Sequence, residues 1–367
     1  MRGKEAALKT MGCSVTYLGC RWQLPNEPAD ESIVHRFATW QWLLNPLGCY
    51  ARLKSLVDAW RPDVLVVSGH WLKFHPWVIG RIKRHRPMVV SLDLQGAIEE
   101  WSEYSLLLGS RTLSRAFRWL IGFHEAELLR YVDVIEVVSP NFKRYVQAKY
   151  PRFEGDIVIV PCGVTDVFDD AVYRELRSKW RRRLKIDPNE TAAIYSGGLS
   201  RWQRVDDVVT FARKNQWLKV FLLTNGDLGQ SREELPPNVR TGSLPREEAI
   251  EALCAFDYGF LLRYDDLTNH VAFPNKASEY LNARLKIVID SRNLGCVLPE
   301  FSHAFISVDE VAQIDHHNVK PAYSISSIRY QETVWRLLVA YRVAYGRLGA
   351  PVTGGRQPGS GEAAPVG

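Results

Sequence analysis

Two adjacent glycines near the middle of the chain form a loop between a strand-like run and a helical pattern. Gly197 and Gly198 follow the apolar run at 191–195 and precede the helical pattern at 206–214. Because glycine has no Cβ, backbone N–H groups in such a loop can approach a phosphate closely, and the positive end of the next helix favours the anion. Arg201 and Arg204 lie in the same loop and could complete a diphosphate clamp. A tight turn with two solvated arginines is the alternative interpretation.

A second polar cluster, Pro274-Asn275-Lys276 with Glu279, follows a loop in the last third of the chain. Pro274 or Asn275 can start a helix, which leaves N–H groups unpaired in its first turn. Glu279 would then lie about one turn inside that helix, where a carboxylate can accept hydrogen bonds from two ribose hydroxyls. The alternatives are a surface glutamate and a solvated lysine. Both clusters follow strands of one predicted sheet, so we expect them at the same crevice.

Two candidate catalytic side chains, Asp93 and His70, follow strand-like runs in the first half of the chain. Asp93 could bind substrate hydroxyls or stabilise positive charge that develops during a reaction. A helix N-cap or a loop carboxylate explains it equally, and His70 also fits a structural histidine. His316 and His317 have no partner at the spacing of metal ligands, so no metal site is predicted.

The elements that must position these side chains alternate between short apolar strands and longer amphipathic helices. The strand-like runs cover 14–18, 63–67, 88–92, 134–138, 156–160, 191–195, 218–223, 258–263, 286–289 and 304–308. Strands of this kind, separated by helices, indicate parallel sheets covered on both faces. We therefore predict an α/β fold with two Rossmann-like domains that face each other across a cleft.

A dense basic run, RELRSKWRRRLKI at 174–186, separates the two halves and is followed by a turn signal at Asp187-Pro188-Asn189. The predicted divisions are a first domain at 1–168, a linker at 169–189, a second domain at 190–327, a helix at 328–348 that crosses back to the first domain, and a disordered tail at 349–367. A helix-like segment at 2–12 leads directly into the first strand. Either the first crevice is built without an opening strand, or the chain starts late.

A basic and aromatic segment at 111–120 could lie on an anionic membrane surface. Arg111, Arg115 and Arg118 are four and three residues apart, which places them on one helical face near Trp119. Such a helix could present a lipid-linked molecule to the cleft. An ordinary amphipathic helix that packs its apolar side on the first domain is the alternative.

Composition excludes several classes of protein. The 367 residues leave room for two domains, and 46% hydrophobic with 24% charged residues excludes disordered, collagen-like and disulfide-scaffold chains. The net charge of +6 fits an anionic partner. Scattered cysteines without a CxxC pair, with no signal peptide and no membrane-spanning run, predict free thiols and a cytoplasmic location. No recognised nucleic-acid module is present, so nucleic acid is not an expected partner.

Six segments, in the same order and at similar spacing over some 90% of the chain, resemble the GT-B glycosyltransferases, specifically the large retaining family four. They are RPDVLVVSGH, YVDVIEVVSPNFKRYV, DIVIVPCGVTDVF, AAIYSGGLSRWQRVDDVV, VRTGSLPREEAIEAL and FPNKASEYLNARLKIVI. The resemblance implies transfer of a sugar, with retention, from a nucleotide-sugar donor at the second domain to a glycan or lipid-linked acceptor at the first. The donor is a substrate, so no cofactor is implied.

Carried over to this sequence, the resemblance assigns Gly197 and Gly198 to the diphosphate and Glu279 to the ribose. Ser243 and Leu244 would lie near the base, and Pro274-Asn275-Lys276 would shape the donor loop. Members of the family do not need a metal, and the sequence contains no Asp-x-Asp pair. Association with the inner face of a membrane would fit the lipid-linked acceptor.

The chain also departs from the family pattern. A glutamate of the family falls on Val271, its glycine-loop arginine and lysine on Gly198 and Gln203, and its first-domain histidine on Leu92 and Asp93. In the family, a glycine ends the helix of the last segment. This chain has no glycine there and reads Ala283-Arg284-Leu285-Lys286 instead. A non-catalytic GT-B protein that binds a nucleotide or a partner subunit is the main alternative. A sugar-nucleotide epimerase on the same fold, which would release free UDP, is the third.

Overall fold

The protein is described by a computed structural model, which covers residues 2–20, 33–37, 45–69, 75–104, 110–226, 235–311 and 325–348. Within these residues, the first half contains two parallel sheets. A two-stranded sheet pairs β1 (Tyr17–Cys20) with β2 (Ile33–Phe37). A four-stranded sheet runs in the order β3 (Val64–Ser68), β4 (Val89–Leu94), β5 (Val134–Val137) and β6 (Asp156–Ile159).

The helices of the first half begin at residues that sequence rules favour. They are α1 (Arg2–Thr10), α2 (Pro46–Trp60), α3 (Pro76–His85), α4 (Glu100–Glu103), α5 (Arg111–Leu128) and α6 (Pro140–Lys149). At the start of α6, the Ser139 hydroxyl accepts a hydrogen bond from Phe142 N at 3.0 Å. Pro140 occupies the first helical turn, where its missing N–H costs nothing.

The second half has one six-stranded parallel sheet in the order β12-β11-β10-β7-β8-β9. Its strands are β7 (Ala192–Ser196), β8 (Lys219–Leu223), β9 (Val239–Gly242), β10 (Tyr258–Phe260), β11 (Lys286–Ile289) and β12 (Phe305–Ser307). The helices among them are α8 (Val205–Lys214), α9 (Arg246–Ala252), α10 (Leu267–Val271), α11 (Asn275–Asn282) and α12 (Val308–Val311), after α7 (Asp170–Leu184). The predicted α/β fold with two Rossmann-like halves is confirmed.

The predicted linker is mostly the helix α7, which packs firmly on the second domain. Trp180 is completely buried. Arg177 donates to the Asp257 carboxylate at 2.7 Å, and Arg181 lies 3.6 Å from the same carboxylate. These arginines therefore hold α7 against the end of a sheet strand and do not form a free basic surface.

The last helix, α13 (Tyr330–Arg347), returns to the first domain. Leu337 and Tyr341 pack into a buried cluster with Val89 and Val134, which belong to β4 and β5. The Tyr341 hydroxyl also donates to the buried Glu136 carboxylate at 2.5 Å. In the described part of the chain, no helix is both long enough and apolar enough to cross a bilayer.

Candidate functional site

The glycine loop follows β7 at the carboxyl edge of the second sheet. Gly197 has φ +143°, a conformation that residues with a Cβ rarely adopt, and its N–H donates to Leu223 O at 2.9 Å. A Cβ added to Gly197 would lie 2.8 Å from Lys276 Nζ, whereas one added to Gly198 would meet nothing within 4 Å. Gly197 is therefore the glycine that the structure requires, because it lets the Lys276 amine approach the backbone.

Lys276 lies in the first turn of α11 and is only 9% exposed. Its Nζ is 3.9 Å from the centroid of the Tyr195 ring and donates to Gln203 Oε1 at 3.0 Å. Burial, followed by the repulsion from the nearby Arg263, lowers the pKa of Lys276 well below its ordinary value. A cation is thus held at the mouth of the glycine loop with little solvent around it.

Arg263, which we did not predict, is the second buried cation of this region. It follows β10, is 7% exposed, and donates to the same Gln203 Oε1 at 2.7 Å. Desolvation lowers the pKa of Arg263. Among the described residues, neither Arg263 nor Lys276 makes an ion pair with a carboxylate. Two buried cations that share one amide oxygen are the electrostatic arrangement of an anion site.

Glu279 lies one turn further along α11, with its side chain 19% exposed. Its Oε1 accepts a hydrogen bond from Arg246 Nη2 at 2.9 Å, and burial raises the pKa of the carboxyl group. Pro274 occupies the N-cap position of α11, and Asn275 is exposed in its first turn. Nearby, Ser243 Oγ hydrogen-bonds Asn225 Oδ1 at 2.7 Å.

Leu244, next to Ser243, is partly buried and packs against the main hydrophobic core. Leu244 completes the predicted donor-site residues of the second domain, apart from Arg201 and Arg204, which are described below. The cluster of Gly197, Lys276, Glu279 and Ser243 therefore comes from loops and helix ends that follow different strands of one sheet. This is the crevice position at which open α/β sheets bind ligands.

The two arginines predicted beside the glycine loop have different positions. Arg201 lies in a short 3₁₀ turn, and its side chain is not among those described. Arg204 donates to Asp207 at 2.6 Å, to Asp290 and to Arg263 O. Because two carboxylates already balance its charge, Arg204 fixes the backbone that carries Arg263, and is not available as an unpaired cation.

Asp93 lies at the carboxyl end of β4, as predicted, but within an ionic cluster. Its Oδ2 is 3.7 Å from Lys4 Nζ and 3.4 Å from Ser68 Oγ. Lys4 also contacts the buried Glu136, which is paired with Asp93 across β4 and β5. Burial raises the pKa of Asp93, and the Lys4 ammonium opposes that rise. His70, the other predicted catalytic residue, lies outside the described residues.

Contacts between the two halves are concentrated at α10, which follows the loop that carries Arg263. The Glu103 carboxylate of α4 accepts hydrogen bonds from Thr268 N at 3.1 Å and from Leu267 N at 3.3 Å. The Tyr104 hydroxyl donates to Asp266 at 2.6 Å. Val271, where the family has a glutamate, is buried at 2% exposure. In the part of the chain that is described, no group of three potential ligands could hold a metal ion.

Comparisons with known proteins agree with this architecture. Residues 6–167 match the model of Glycosyltransferase Family 4. A sucrose-phosphate synthase from Thermosynechococcus elongatus is similar at TM-score 0.54 and 13% identity, over 89% of this chain and 85% of the other. A Rickettsia africae glycosyltransferase is similar at TM-score 0.52 and 9% identity, over 86% of this chain and 82% of the other.

An Escherichia coli structure described as trehalose-6-phosphate bound with UDP-2-fluoro glucose gives TM-score 0.50 and 12% identity, over 87% and 80% of the two chains. A search of curated proteins found no match. The resemblance seen in the sequence is thus confirmed at the level of the fold and of the first domain. Residues 6–167 match the model of Glycosyltransferase Family 4, and the chain as a whole has the GT-B fold.

Proposed function

We propose that this protein transfers a sugar from a nucleotide-sugar donor to a glycan or lipid-linked acceptor, with retention at the anomeric carbon. The observation that carries the proposal is the pair of buried cations, Lys276 and Arg263, beside Gly197. A diphosphate placed there would supply the ion pairs that neither cation makes with a carboxylate of the described residues. The resemblance to a glycosyltransferase family makes a nucleotide sugar the natural source of that diphosphate.

Each part of the donor has a proposed partner in the second domain. The backbone of the Gly197-Gly198 loop approaches the diphosphate, and the start of α11 adds the favourable end of its dipole. Glu279 accepts hydrogen bonds from the ribose hydroxyls once they displace Arg246. Ser243 and Leu244 border the base. The neighbour bound with UDP-2-fluoro glucose makes UDP the first nucleotide to test.

In the proposed reaction, the bond between the sugar and the diphosphate breaks while the acceptor hydroxyl attacks from the same face. Lys276 and Arg263 stabilise the charge that develops on the departing diphosphate. Their positions are fixed before the reaction by Gln203 and the Tyr195 ring, so little reorganisation is needed. On the first domain, we propose that Asp93 binds an acceptor hydroxyl through its partly exposed carboxylate.

Replacing the buried lysine tests this proposal directly. Lys276→Met should weaken the binding of a nucleoside diphosphate by about tenfold or more, since a charge-assisted contact is lost, but leave binding of the parent nucleoside nearly unchanged. Lys179→Met, at a half-exposed ion pair with Glu251 in the same half of the molecule, is the matched control. Isothermal titration with a panel of nucleosides and diphosphates measures both. Equal affinity of wild type and Lys276→Met for every diphosphate would refute the site.

A non-catalytic nucleotide-binding protein is the second candidate, favoured by the buried Val271 and by the pairing of Asp93 with Lys4. Incubating purified protein with a panel of nucleotide sugars separates the two. Transfer or donor hydrolysis that is lost in Glu279→Ala supports the enzyme. Tight binding without turnover of any donor supports the alternative, and free UDP released together with a sugar that is an epimer of the donor sugar would indicate an epimerase.

A further inference from the structure

The helix α5 is turned so that its large apolar side chains face solvent. Trp119 is 71% exposed and Phe123 60%, and their rings are stacked with centroids 6.4 Å apart. Leu113 and Leu120 are 46% and 43% exposed. The side of α5 that packs on the domain instead carries Ser114 and Glu125 besides Ile121 and Leu128. An ordinary surface helix has the opposite arrangement, with its polar residues outward.

Basic side chains border this apolar face. Arg111 and Arg115 are exposed, and neither makes an ion pair with a described residue. Arg118, the third arginine of the segment, lies 3.5 Å from Glu99 and so belongs to the domain surface. Two unpaired arginines therefore remain next to the exposed Trp119 and Phe123, which is the composition of a helix that lies in a lipid interface.

We propose that α5 docks this protein on a bilayer that contains anionic lipids. Trp119, Phe123, Leu113 and Leu120 enter the boundary between headgroups and acyl chains, while Arg111 and Arg115 bind lipid phosphates. Anionic lipid is favoured over a protein groove because the cations on this surface have no described partners, and a bilayer supplies both an apolar layer and negative charge. This inference does not depend on whether the nucleotide site is catalytic.

Vesicle sedimentation tests the proposal. Full-length protein should bind phosphatidylcholine vesicles that contain phosphatidylglycerol, bind pure phosphatidylcholine weakly, and dissociate as the salt concentration rises. The double variant Trp119→Ser/Phe123→Ser should lose about tenfold or more of the affinity, and Arg111→Glu/Arg115→Glu should lose the preference for anionic lipid. Circular dichroism confirms that each variant is folded.

Two further variants of the protein serve as controls. Trp335→Ser removes a tryptophan that is 52% exposed on a different helix, α13, and should bind vesicles like the wild type. Lys276→Met should also bind normally, so failure of the nucleotide site leaves this test intact. Absence of wild-type binding, or equal losses in Trp335→Ser and Trp119→Ser/Phe123→Ser, would overturn the proposal. So would sedimentation of the wild type as a dimer that Trp119→Ser/Phe123→Ser converts to a monomer without lipid, because a second copy would then cover α5.

Discussion

At the scale of single residues, the most informative feature is Lys276, which is buried and makes no ion pair with a carboxylate among the described residues. Burial and the charge of Arg263 both disfavour protonation of Lys276, and so its pKa lies well below that of an ordinary lysine. A bound diphosphate would act in the opposite direction, because a negative charge beside the amine stabilises its protonated form.

Donor binding should therefore take up a proton at any pH between the lowered pKa of free Lys276 and the higher pKa of the complex. Within that interval, affinity should fall as the pH rises, and above it affinity should level off at the lower value for the neutral amine. Titration calorimetry in buffers of different ionisation enthalpy, scanned from neutral to alkaline pH, measures the uptake. Lys276→Met should abolish it, and an identical proton uptake in wild type and variant would rule out the assignment to this amine.

The sequence predicted several residues of the proposed site, but not its second cation. Gly197, Lys276 and Glu279 belong to recognisable motifs, whereas Arg263 follows a strand in no motif at all. Its role depends on Gln203, which lies sixty residues earlier and meets it only after the sheet has formed. The available signal was its place at the end of an apolar strand predicted at 258–263, since charged residues at that edge point into the crevice.

At the scale of elements, the glycine loop offers a comparison between two neighbouring residues. Gly197→Ala should lower the free energy of unfolding by about 1–3 kcal/mol, because alanine is strained at φ +143° and its Cβ would displace the Lys276 amine. Gly198→Ala should change it by less than about 0.5 kcal/mol, since a Cβ there meets open space. Urea denaturation of the two variants measures the difference. Equal losses in both would mean that the loop does not need this backbone geometry.

The strands were largely predictable, and the exceptions have physical reasons. The ten predicted runs all overlap strands of the structure, because short apolar segments rich in β-branched residues usually form buried strands when they lie between helices. Two strands were missed. β2 (Ile33–Phe37) contains the polar pair His35-Arg36, and β9 (Val239–Gly242) contains Arg240 and Thr241 at an edge of the second sheet. Arg240 and Thr241 are exposed in β9, which therefore lacks the continuous apolar signal of a strand buried on both faces, and the polar pair interrupts that signal in β2.

The basic run at 174–186 shows that the sequence alone does not reveal which groups a cluster of basic side chains contacts. It was predicted to lie in the linker, and the structure places Arg177 beside Asp257 and Arg183 beside Glu248, both in the second domain. Those partners lie some seventy residues further along the chain. On α5, two of the three arginines are exposed without an ion pair to a described residue, a distinction that only the tertiary arrangement reveals.

At the scale of the whole molecule, several contacts between the two halves lie at α10, which follows the loop that carries Arg263 of the proposed anion site. The Glu103 carboxylate of the first domain satisfies the first N–H groups of α10. Glu103→Ala would leave those groups without that acceptor and should lower the free energy of α10 opening by about 1–3 kcal/mol. Hydrogen exchange of a peptide covering 264–271 should accelerate accordingly. Glu300→Ala, at an exposed position, is the control, and unchanged exchange in Glu103→Ala would contradict the contact.

The return of α13 to the first domain has a consequence for synthesis. Leu337 and Tyr341 complete the core over Val89 and Val134, and Tyr341 caps the buried Glu136. On the ribosome, β4 and β5 emerge long before α13 is translated, since the whole second domain lies between them. One face of the first sheet therefore remains uncovered until α13 has left the exit tunnel. The first domain is synthesised before the second, but it cannot complete its core until the second domain has also been made.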